Sequence, residues 1–584
     1  MNNSQPSRVL DVVIAGLGPT GATLAHLLGK RGLSVLVLER EPKFYGNARA
    51  VYTDDECMRM LQAAGVAYEL AEDLQVDTPV QFELPDGSIL FQYAPLKRTN
   101  GWPVINFLYQ PWLETKLCGL LSRYPNVQVL RGRELVNFED DGQIVTVTHQ
   151  ATRNFRFSDA SAERVEAHTD PDPRQVRARY LVGADGGRST VREKLGIEMV
   201  GKNFPEPWLV IDLEMKKEEE DALRHIPYFS FICNPGCPTV SCSQPGRFHR
   251  FEFRLMPGQT KEYLEDPATV RTLVSRYVDP TKFDVKRRLV YTFNALIAKE
   301  WRRGRVILVG DAAHMTPQFM GQGMSSGIRD AYNLAWKLHA VLSGRAGDKL
   351  LDTYGRERFH HAKAMIDISV RMKDFVSVAN PYATALRNTL VKTLLRIPKV
   401  GSWFREGGFK PEPVYAKNSY FGLPRRRSRS VEGKLIPQPE VRTLEGKRVL
   451  LDEVLGNDFA LIGIETNPQD HLAADSRALM DMLSTRYVTL YPRGGRPQGA
   501  KAQRHCPAGL IEVEDDRGEL IAWFKRGGLG AGAVAVTRPD KFIFALVKAS
   551  ELNSALSQLR EQLGVSNLNN NTTTQRAALV GSTA

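Results

Sequence analysis

The sequence predicts an α/β protein of more than one domain, and three observations lead to that prediction. A β-branched run at residues 9–15 precedes an apolar-periodic helix over about 20–31 and a second apolar run at 34–38, which together make a strand–helix–strand unit. Short alternating segments at about 75–110 and 205–295 are typical of antiparallel sheet. Strand patterns alternating with helical ones return between about 459 and 537.

The composition is that of a large folded protein. The 584 residues are 42% hydrophobic and 25% charged, which excludes a disordered, collagen-like or small disulfide-stabilised chain. The net charge of +12 is compatible with nucleic acid, a membrane surface or anionic small molecules, and charge alone does not distinguish them. Six scattered cysteines and the lack of an apolar signal-peptide core predict a cytoplasmic protein. The uncharged stretch at 12–29 contains glycine and proline, so no membrane span is expected.

The first strand–helix–strand unit is resumed later in the chain. Strand patterns at 180–182 and 306–309 continue it, and Asp54 or Asp55 is expected to cap a helix that stops at Gly65. The predicted divisions are a discontinuous nucleotide-binding domain at 8–74, 111–204 and 296–400, an antiparallel-sheet substrate domain at 75–110 and 205–295, a linker at 401–432 with an exposed basic run at 425–429, a small separate α/β domain at 433–566, and a flexible tail at 567–584.

A glycine motif opens the first helix. Gly16, Gly18 and Gly21 have the G-x-G-x-x-G spacing, which allows a tight turn, close approach of a pyrophosphate to the backbone, and close helix packing. Glu39 ends the next strand, at the spacing of an acid that accepts hydrogen bonds from ribose hydroxyls. The combination predicts a Rossmann-like dinucleotide site, with an ordinary glycine turn as the alternative. It does not distinguish FAD from NAD.

A second motif favours a flavin. In residues 305–327 a strand delivers Asp311 at its carboxyl end, where a carboxylate can accept from a sugar-alcohol chain. Gly321 and Gly323 leave backbone N–H groups at the start of a helix predicted from about Gly327, and such donors stabilise the negative charge of a reduced flavin. The alternative is a capped loop with a buried aspartate.

A third motif, at 178–192, includes Gly183, Asp185 and Arg192. In this order the three motifs resemble the class A flavoprotein aromatic hydroxylases, the family of para-hydroxybenzoate hydroxylase and phenol hydroxylase. Further matching segments around Arg49, Gln110, residues 250–253, 333–338 and 361–367, and 538–540, extend the resemblance over nearly the whole chain.

The resemblance implies FAD as cofactor, NADH or NADPH and O2 as co-substrates, and hydroxylation of a phenol ortho to its hydroxyl. The leading substrate is 3-(3-hydroxyphenyl)propionate, together with its analogue 3-hydroxycinnamate, and another phenol such as resorcinol or a hydroxyquinoline is the alternative. A thioredoxin-like C-terminal domain, without Cys-x-x-Cys, and a homodimer are also expected, with no metal, nucleic acid or membrane partner. The residues expected to hold FAD are Gly16, Gly18, Gly21, Glu39, Arg40, Arg49, Gln110, Asp185, Gly310, Asp311, Pro317, Gly321, Gly323 and Met324.

Alternation along residues 249–255 places His249, Phe251 and Phe253 on one face of a strand and Arg250 and Glu252 on the other. Which face meets substrate is not readable from the sequence. We expect an Arg250–Glu252 ion pair that holds the sheet, although Arg250 is also one candidate for pairing a substrate carboxylate. The base that deprotonates the phenol is not identified.

Several other features have ordinary explanations. Cys233, Cys237 and Cys242 lack a paired Cys-x-x-Cys and are expected to be simple thiols rather than zinc ligands. The glycines at 528–532 lead into a strand and predict a loop. His314 is a proton relay or a structural histidine. A flavin-binding protein without oxygenase activity and a basic nucleic-acid binder stay open as alternatives of a different class.

Overall fold

The β-branched run near the N-terminus forms the strand Leu10–Ala15, whose last four residues are buried at the centre of a mostly parallel sheet. The computed structural model describes residues 8–44, 46–152, 173–204, 206–219, 221–425, 429–497 and 509–565. The path of this sheet runs through Arg302–Arg303, Val306–Leu308, Arg174–Gly183, Leu10–Ala15, Val35–Glu39 and Val127–Arg131. The antiparallel strands Arg133–Asp140 and Val145–Ala151 are added beside Arg174–Gly183. The predicted strand–helix–strand unit is confirmed.

A second large sheet lies in the inserted segments. Its order is Phe283–Tyr291, Trp208–Met215, Phe248–Arg254, Thr239–Gln244, Phe229–Ile232, Val80–Glu83 and Ile89–Tyr93. The neighbours are antiparallel except for Phe229–Ile232 and Val80–Glu83, which are parallel. The expectation of a purely antiparallel sheet was therefore wrong at this pair, because the two strands come from different inserted segments and no hairpin fixes their direction.

Short strands and helices complete the framework. Two small sheets contain Met199–Asn203, Asn294–Ala298 and His314–Met315, and Tyr52–Thr53, Asn106–Phe107 and Gln75–Val76. The helices are Pro19–Gly29, Asp55–Ala64, Ala67–Ala71, Gln110–Leu120, Thr190–Lys194, Lys261–Glu265, Pro267–Val274, Gln322–Leu342, Asp352–Val376, Pro381–Leu395, Pro398–Arg405, Leu451–Leu455, Ala474–Met482, Glu519–Arg526 and Leu552–Leu563. Among the described residues, no helix has the length and hydrophobicity needed to cross a bilayer.

The ends of two helices deserve comparison with their predicted limits. Asp54 caps Asp55–Ala64 by accepting from the Cys57 N–H at 2.9 Å, and the helix stops at Gly65 in the left-handed conformation, as predicted. The helix predicted from about Gly327 begins instead at Gln322. Glycine weakens a helix prediction, but Gly327 is required here: a Cβ at this position would lie 2.0 Å from Thr20 Oγ1.

The chain divides into two compact units. The first comprises Met1–Arg98, Trp102–Ala331 and Ala362–Pro411, and the second comprises Thr99–Gly101, Tyr332–His361 and Glu412–Ala584. In the second unit a sheet has the order Arg448–Leu450, Glu440–Arg442, Leu510–Asp515, Arg486–Pro492, Ala460–Ile464, Ala533–Thr537 and Ile543–Lys548. The strands predicted at 459–464, 487–491 and 533–537 are confirmed. The fold is mixed α/β, while the predicted domain limits stay predictions. The tail at 567–584 and most of the basic run at 425–429 lie outside the described residues.

Candidate active site

The glycine motif forms a tight loop between Leu10–Ala15 and Pro19–Gly29. Gly16 has a φ of +100°, and a Cβ there would lie 2.4 Å from the Ala184 carbonyl oxygen. A Cβ at Gly21 would lie 2.1 Å from the Gly16 carbonyl oxygen, whereas a Cβ at Gly18 would meet no heavy atom within 4 Å. Gly16 and Gly21 therefore close the turn, and Gly18 leaves open space at the helix N-terminus, where an anion is stabilised.

Glu39 ends the neighbouring strand and faces this loop. Its Oε2 accepts the Leu17 N–H at 2.7 Å, and its Oε1 accepts the Glu41 N–H at 2.8 Å. Arg40 follows with an exposed side chain, and both residues line the large cavity of the first unit. The carboxylate is thus oriented by the glycine loop itself, as an acceptor fixed beside a bound sugar needs to be.

Gln110 is buried and holds the backbone that carries Arg49. Its Oε1 accepts the N–H groups of Arg49 at 2.7 Å and Ala50 at 2.5 Å, and its Nε2 donates to Glu114. Burial raises the pKa of Glu114 to about 7. Arg250 donates to the Ala48 and Arg49 carbonyls from the opposite side, at 2.5 and 2.8 Å. These contacts fix the segment and leave the Arg49 side chain exposed toward the cavity.

Asp311 lies in a single helical turn, Gly310–Ala312, directly after the strand Val306–Leu308. Gly310 has a φ of +60°, and a Cβ there would lie 2.8 Å from Thr20 Oγ1. The Asp311 side chain is exposed to the cavity rather than to the outer surface. Because protein surrounds the cavity here, burial raises the pKa of the carboxyl. The strand tip therefore presents a carboxylate to whatever fills the cavity.

His314 supports this turn. Its Nε2 lies 2.6 Å from Asp330 Oδ2, and the same carboxylate oxygen accepts the Gly310 N–H at 3.0 Å. Both side chains are fully buried, and His314 is not among the described residues that line the cavity. Of the two interpretations of His314, the geometry favours the structural one.

The N-terminus of the helix Gln322–Leu342 also faces the cavity. Pro317 precedes the turn Gln318–Met320, and Gly321 follows it with a φ of +61°. A Cβ at Gly323 would meet no heavy atom within 4 Å, so the first turn of the helix is open on this side. Gly321, Gly323 and Met324 line the cavity beside backbone N–H groups that have no intrahelical acceptor.

Asp185 organises the third motif from within. Its Oδ1 accepts from Ser189 Oγ at 2.5 Å and its Oδ2 from the Val191 N–H at 3.1 Å, at the start of Thr190–Lys194. Burial raises the pKa of its carboxyl. Arg192 donates to the Ala312 carbonyl at 3.0 Å, which joins this motif to the Asp311 turn. The sequence placed Arg192 in the third motif but did not reveal this contact, because its acceptor is a main-chain oxygen.

These motifs surround one continuous cavity of about 1960 Å³. Of the fourteen residues predicted to hold the cofactor, eleven line the cavity. The other three, Gly21, Gly310 and Pro317, are each next in sequence to a residue that lines it. The cavity continues over one face of the second large sheet. There it is lined by aromatic side chains, namely Phe82, Phe107, Phe229, Phe231, Phe293 and Phe319.

The sheet face that meets the cavity carries Arg250 and Glu252, while Phe251 and Phe253 pack into the core on the other face. The expected Arg250–Glu252 ion pair was wrong. Arg250 instead pairs with Asp212, its cross-strand neighbour, at 2.6 Å, and Glu252 accepts from Gln318. Directly opposite residues are closer than residues two apart on one strand, so the cross-strand acid wins. Asp212, which breaks an apolar strand, was the available sequence signal.

The residues present fit a FAD. Two helix N-termini stand at open glycines, Gly18 and Gly323. Glu39 ends one strand of the parallel sheet, and Asp311 lies in the turn that follows another. This set can accommodate a pyrophosphate, hold sugar hydroxyls and stabilise negative charge on a ring edge. Among the described residues there is no cluster of three or more histidine, cysteine, aspartate or glutamate side chains suited to a metal.

Comparison with known proteins gives the same assignment. The FAD binding domain family matches residues 9–369, and the HcaD C-terminal domain matches residues 433–562. A Klebsiella pneumoniae subsp. pneumoniae protein named 3-(3-hydroxy-phenyl)propionate/3-hydroxycinnamic acid hydroxylase is 36% identical over 553 residues, 94% of each chain. An Escherichia coli protein of the same name is 35% identical over 554 residues, again 94% of each.

Solved structures share the fold. Aklavinone-11 hydroxylase, in a ternary complex with FAD and aklavinone, has a TM-score of 0.71 at 23% identity and covers 97% of this chain and 100% of its own. The flavin-dependent monooxygenase PieE, in complex with FAD and substrate, has a TM-score of 0.76 at 20% identity, with 96% and 100% covered.

The fold and the site thus define a flavin-dependent aromatic monooxygenase with FAD as its cofactor and NAD(P)H as its co-substrate. The chain belongs to the family of flavoprotein aromatic hydroxylases that carry this FAD-binding domain.

Proposed function

We propose that the chain hydroxylates 3-(3-hydroxyphenyl)propionate to 3-(2,3-dihydroxyphenyl)propionate with O2, in the breakdown of aromatic compounds, and accepts 3-hydroxycinnamate as well. The observation that carries this proposal is the continuity of one cavity from the glycine loop to an aromatic-lined sheet face. The substrate named for relatives 35–36% identical over 94% of the chain supports the choice of phenol.

The residues of the parallel sheet would hold FAD by its two ends. Gly16, Gly18 and Gly21 would admit the pyrophosphate to the N-terminus of Pro19–Gly29, and Glu39 would accept from the adenosine ribose. Asp311 would accept from the ribityl chain, and the backbone at Gly321–Gly323 would stabilise charge on the flavin ring. Arg40, Arg49, Gln110, Asp185, Gly310, Pro317 and Met324 would complete the site.

Bound FAD supplies the chemistry that activates O2 and transfers a hydroxyl group, and the chain supplies placement and an environment without water. Phe82, Phe229 and Phe231 form an apolar wall suited to the flat face of a phenol. Arg250 is an unsuitable partner for the substrate carboxylate, because it is only 2% exposed and its N–H groups already donate to Asp212 and to two backbone carbonyls.

The same machinery acting on another phenol, such as resorcinol or a hydroxyquinoline, is the second candidate. Substrate-stimulated NADH oxidation across a panel of phenols, with products identified by mass, separates the two. We expect the largest kcat/KM and stoichiometric product with 3-(3-hydroxyphenyl)propionate. Stimulation by resorcinol but not by the phenylpropionate would reject the first assignment and keep the reaction class.

We further propose the domain roles that this function needs. The parallel sheet and its helices would form the FAD domain, the second large sheet would form the substrate domain, and residues 433–566 would form a thioredoxin-like domain without a redox role. The match of residues 433–562 to the HcaD C-terminal domain supports the last limit. The scattered cysteines support a cytoplasmic location.

A homodimer is supported by an apolar stripe on the helix Pro381–Leu395. Tyr382, Leu386, Leu390 and Leu394 recur every four residues and are 87%, 63%, 53% and 42% exposed. An exposed stripe of this regularity is typical of a helix that pairs. Sedimentation equilibrium should give a dimer for the wild type and a monomer for Leu390→Lys, with Ala385→Lys, off the stripe, as the control. A monomeric wild type would reject the dimer.

A further inference from the structure

The sheet face that borders the cavity has a carboxyl group in an apolar row. Cross-strand register places Val210 and Val240 directly beside Glu252, on its two neighbouring strands. Leu289 lies beyond Val210, and Phe231 lies beyond Val240. All five side chains line the cavity. An acid among such neighbours costs stability, so its position calls for a role in the cavity.

A side chain from the FAD side meets this carboxyl. Gln318 Nε2 donates to Glu252 Oε2. Among the described residues, Gln318 is the donor that the Glu252 carboxylate has. Gln318 begins the turn Gln318–Met320, which leads through Gly321 into the helix whose N-terminus faces the cavity. The Glu252 side chain therefore extends from the sheet to the turn that is proposed to stand at the flavin ring. A phenol bound between them would be within its reach.

The charged groups around Glu252 leave the pKa of its carboxyl near neutral pH. Arg250 on its own strand and Arg287 on Phe283–Tyr291 both pair with Asp212, at 2.6 and 2.8 Å. Cys242 is the titratable group that faces it from Thr239–Gln244, and burial holds this thiol protonated by raising its pKa. Burial also raises the pKa of Glu252 to about 7, because it outweighs Arg250, and Asp212 adds to the rise.

The other groups of the cavity are less suited to receive a phenol's proton. No histidine is found among the described residues that line it. The phenols Tyr52 and Tyr93 both have raised pKa values through burial, to about 12 for Tyr93, so they are not bases near neutral pH. A third tyrosine of the lining, Tyr291, has its Oη occupied by the Arg287 Nη1 donor at 3.0 Å. The remaining acids of the lining belong to the elements around the proposed FAD site, and they are Glu39, Glu41, Glu114, Glu134, Asp185, Glu193 and Asp311.

We propose that Glu252 is the catalytic base that takes the proton of the substrate's phenol hydroxyl, with Gln318 as the residue that positions its carboxylate. This rests on the proposed hydroxylation of a phenol. In the step, the phenol O–H bond breaks, the proton moves to a Glu252 carboxylate oxygen, and the electron pair stays on the phenol oxygen. Electron density rises at the ortho carbon, where the hydroxyl group is added. The proton leaves to water when product departs, and the step consumes no oxidant.

The direct test follows the hydroxylation step as a function of pH. Holoenzyme with bound 3-(3-hydroxyphenyl)propionate is mixed with NADH and O2, and the rate of product formation in a single turnover is measured from pH 5 to 9. A free phenol ionises near pH 10, so without a base the rate should not rise near neutral pH. In the wild type the rate should rise with pH through about 7, because a carboxyl that is still protonated cannot accept the proton.

In Glu252→Gln the ligand should still bind, but the rise of the hydroxylation rate through about pH 7 should be lost. The rate of hydroxylation at pH 7 should fall by roughly 10²- to 10⁴-fold, as expected when a general base is removed. Glu252→Asp should recover part of the rate. Glu114→Gln is the matched control, since the Glu114 carboxyl also has a pKa raised to about 7 in this cavity but stands beside Gln110. It should keep the wild-type pH dependence of the rate.

The outcomes separate the two proposals. A Glu252→Gln protein with the wild-type rate and pH dependence would overturn the role of Glu252 and leave the hydroxylase intact. A wild type that neither binds nor hydroxylates the phenylpropionate would overturn the proposed substrate, and the pH profile is then measured with the phenol that is hydroxylated. Where Glu252→Gln loses FAD, Gln318→Met decides: loss of the donor to the Glu252 carboxylate should move the midpoint of the pH–rate profile to higher pH, and an unchanged midpoint contradicts the proposal.

Discussion

Two buried glutamates show how the same group serves opposite purposes in this chain. Glu357, in the second unit, accepts from Lys337 Nζ at 2.6 Å, from Arg538 Nη1 and Nη2 at 2.7 and 2.8 Å, and from Asn333 Nδ2 at 2.7 Å. Burial raises its pKa, but Arg538 and Lys337 outweigh that effect and lower the pKa to about 2. Glu252, in the first unit, accepts from one neutral amide, and burial raises its pKa to about 7.

The two glutamates differ in whether neighbouring positive charges compensate the charge of the carboxylate. Glu357, Arg538, Lys337 and Asp540 form a buried set with equal numbers of positive and negative charges, which fixes a structure and keeps the Glu357 carboxyl ionised at neutral pH. Glu252 faces a cavity, and the cations near it are already paired with Asp212. An acid that is incompletely compensated at a cavity is a candidate for proton transfer. Burial alone does not distinguish the two cases.

The largest effect should come from removing the compensated acid. Glu357→Gln leaves Lys337 and Arg538 without their shared carboxylate and should lower the free energy of unfolding by about 3–5 kcal/mol. Its folded pKa is depressed, so its contribution is present above the unfolded pKa of 4.5 and is lost as the pH falls toward 2. Urea unfolding at pH 7 and pH 3 measures this. Glu561→Gln, at an exposed position of the same unit, should change little, and a stable Glu357→Gln protein would contradict the account.

Glu252→Gln should change the free energy of unfolding in the opposite direction. Because the folded pKa of Glu252 is raised, its ionisation costs stability as the pH rises from about 4.5 through about 7. The variant should therefore be more stable than the wild type at pH 8, by on the order of 1–3 kcal/mol, and equally stable at pH 4. Both proteins are unfolded in urea at saturating FAD. A loss of stability at pH 8 would place Glu252 with the structural acids.

Asp311 tests whether another acid of the cavity acts on a ligand rather than on the fold. Asp311→Ala removes an acceptor from the proposed FAD site and should weaken FAD binding by about 10- to 100-fold, as expected for a hydrogen bond to a charged group. Titration of the apoprotein with FAD measures the affinity. Asp330→Asn, which disturbs the buried partner of His314 behind the same turn, should affect unfolding more than FAD binding. Unchanged affinity in Asp311→Ala would remove Asp311 from the site.

The sequence predicted the features that short segments define. Gly16, Gly21 and Gly310 stand at backbone positions that exclude a Cβ, Glu39 ends a strand, and Asp311 lies in the turn after a strand, so local spacing was enough to find them. The Arg250–Asp212 pair was missed because it depends on the register between strands 38 residues apart in sequence. The Glu357 cluster was missed because its cations Lys337 and Arg538 lie 20 and 181 residues away in sequence, on separate segments.

The origin of the oxygen atom in the product tests the central claim most directly. Purified holoenzyme is supplied with NADH and 3-(3-hydroxyphenyl)propionate under an atmosphere of labelled dioxygen, and the product is examined by mass spectrometry. The account predicts a dihydroxyphenylpropionate in which the new hydroxyl carries the label, formed with NADH oxidation that depends on the phenol. A product whose new oxygen comes from water, or NADH oxidation without any hydroxylated phenol from the whole panel, would contradict it.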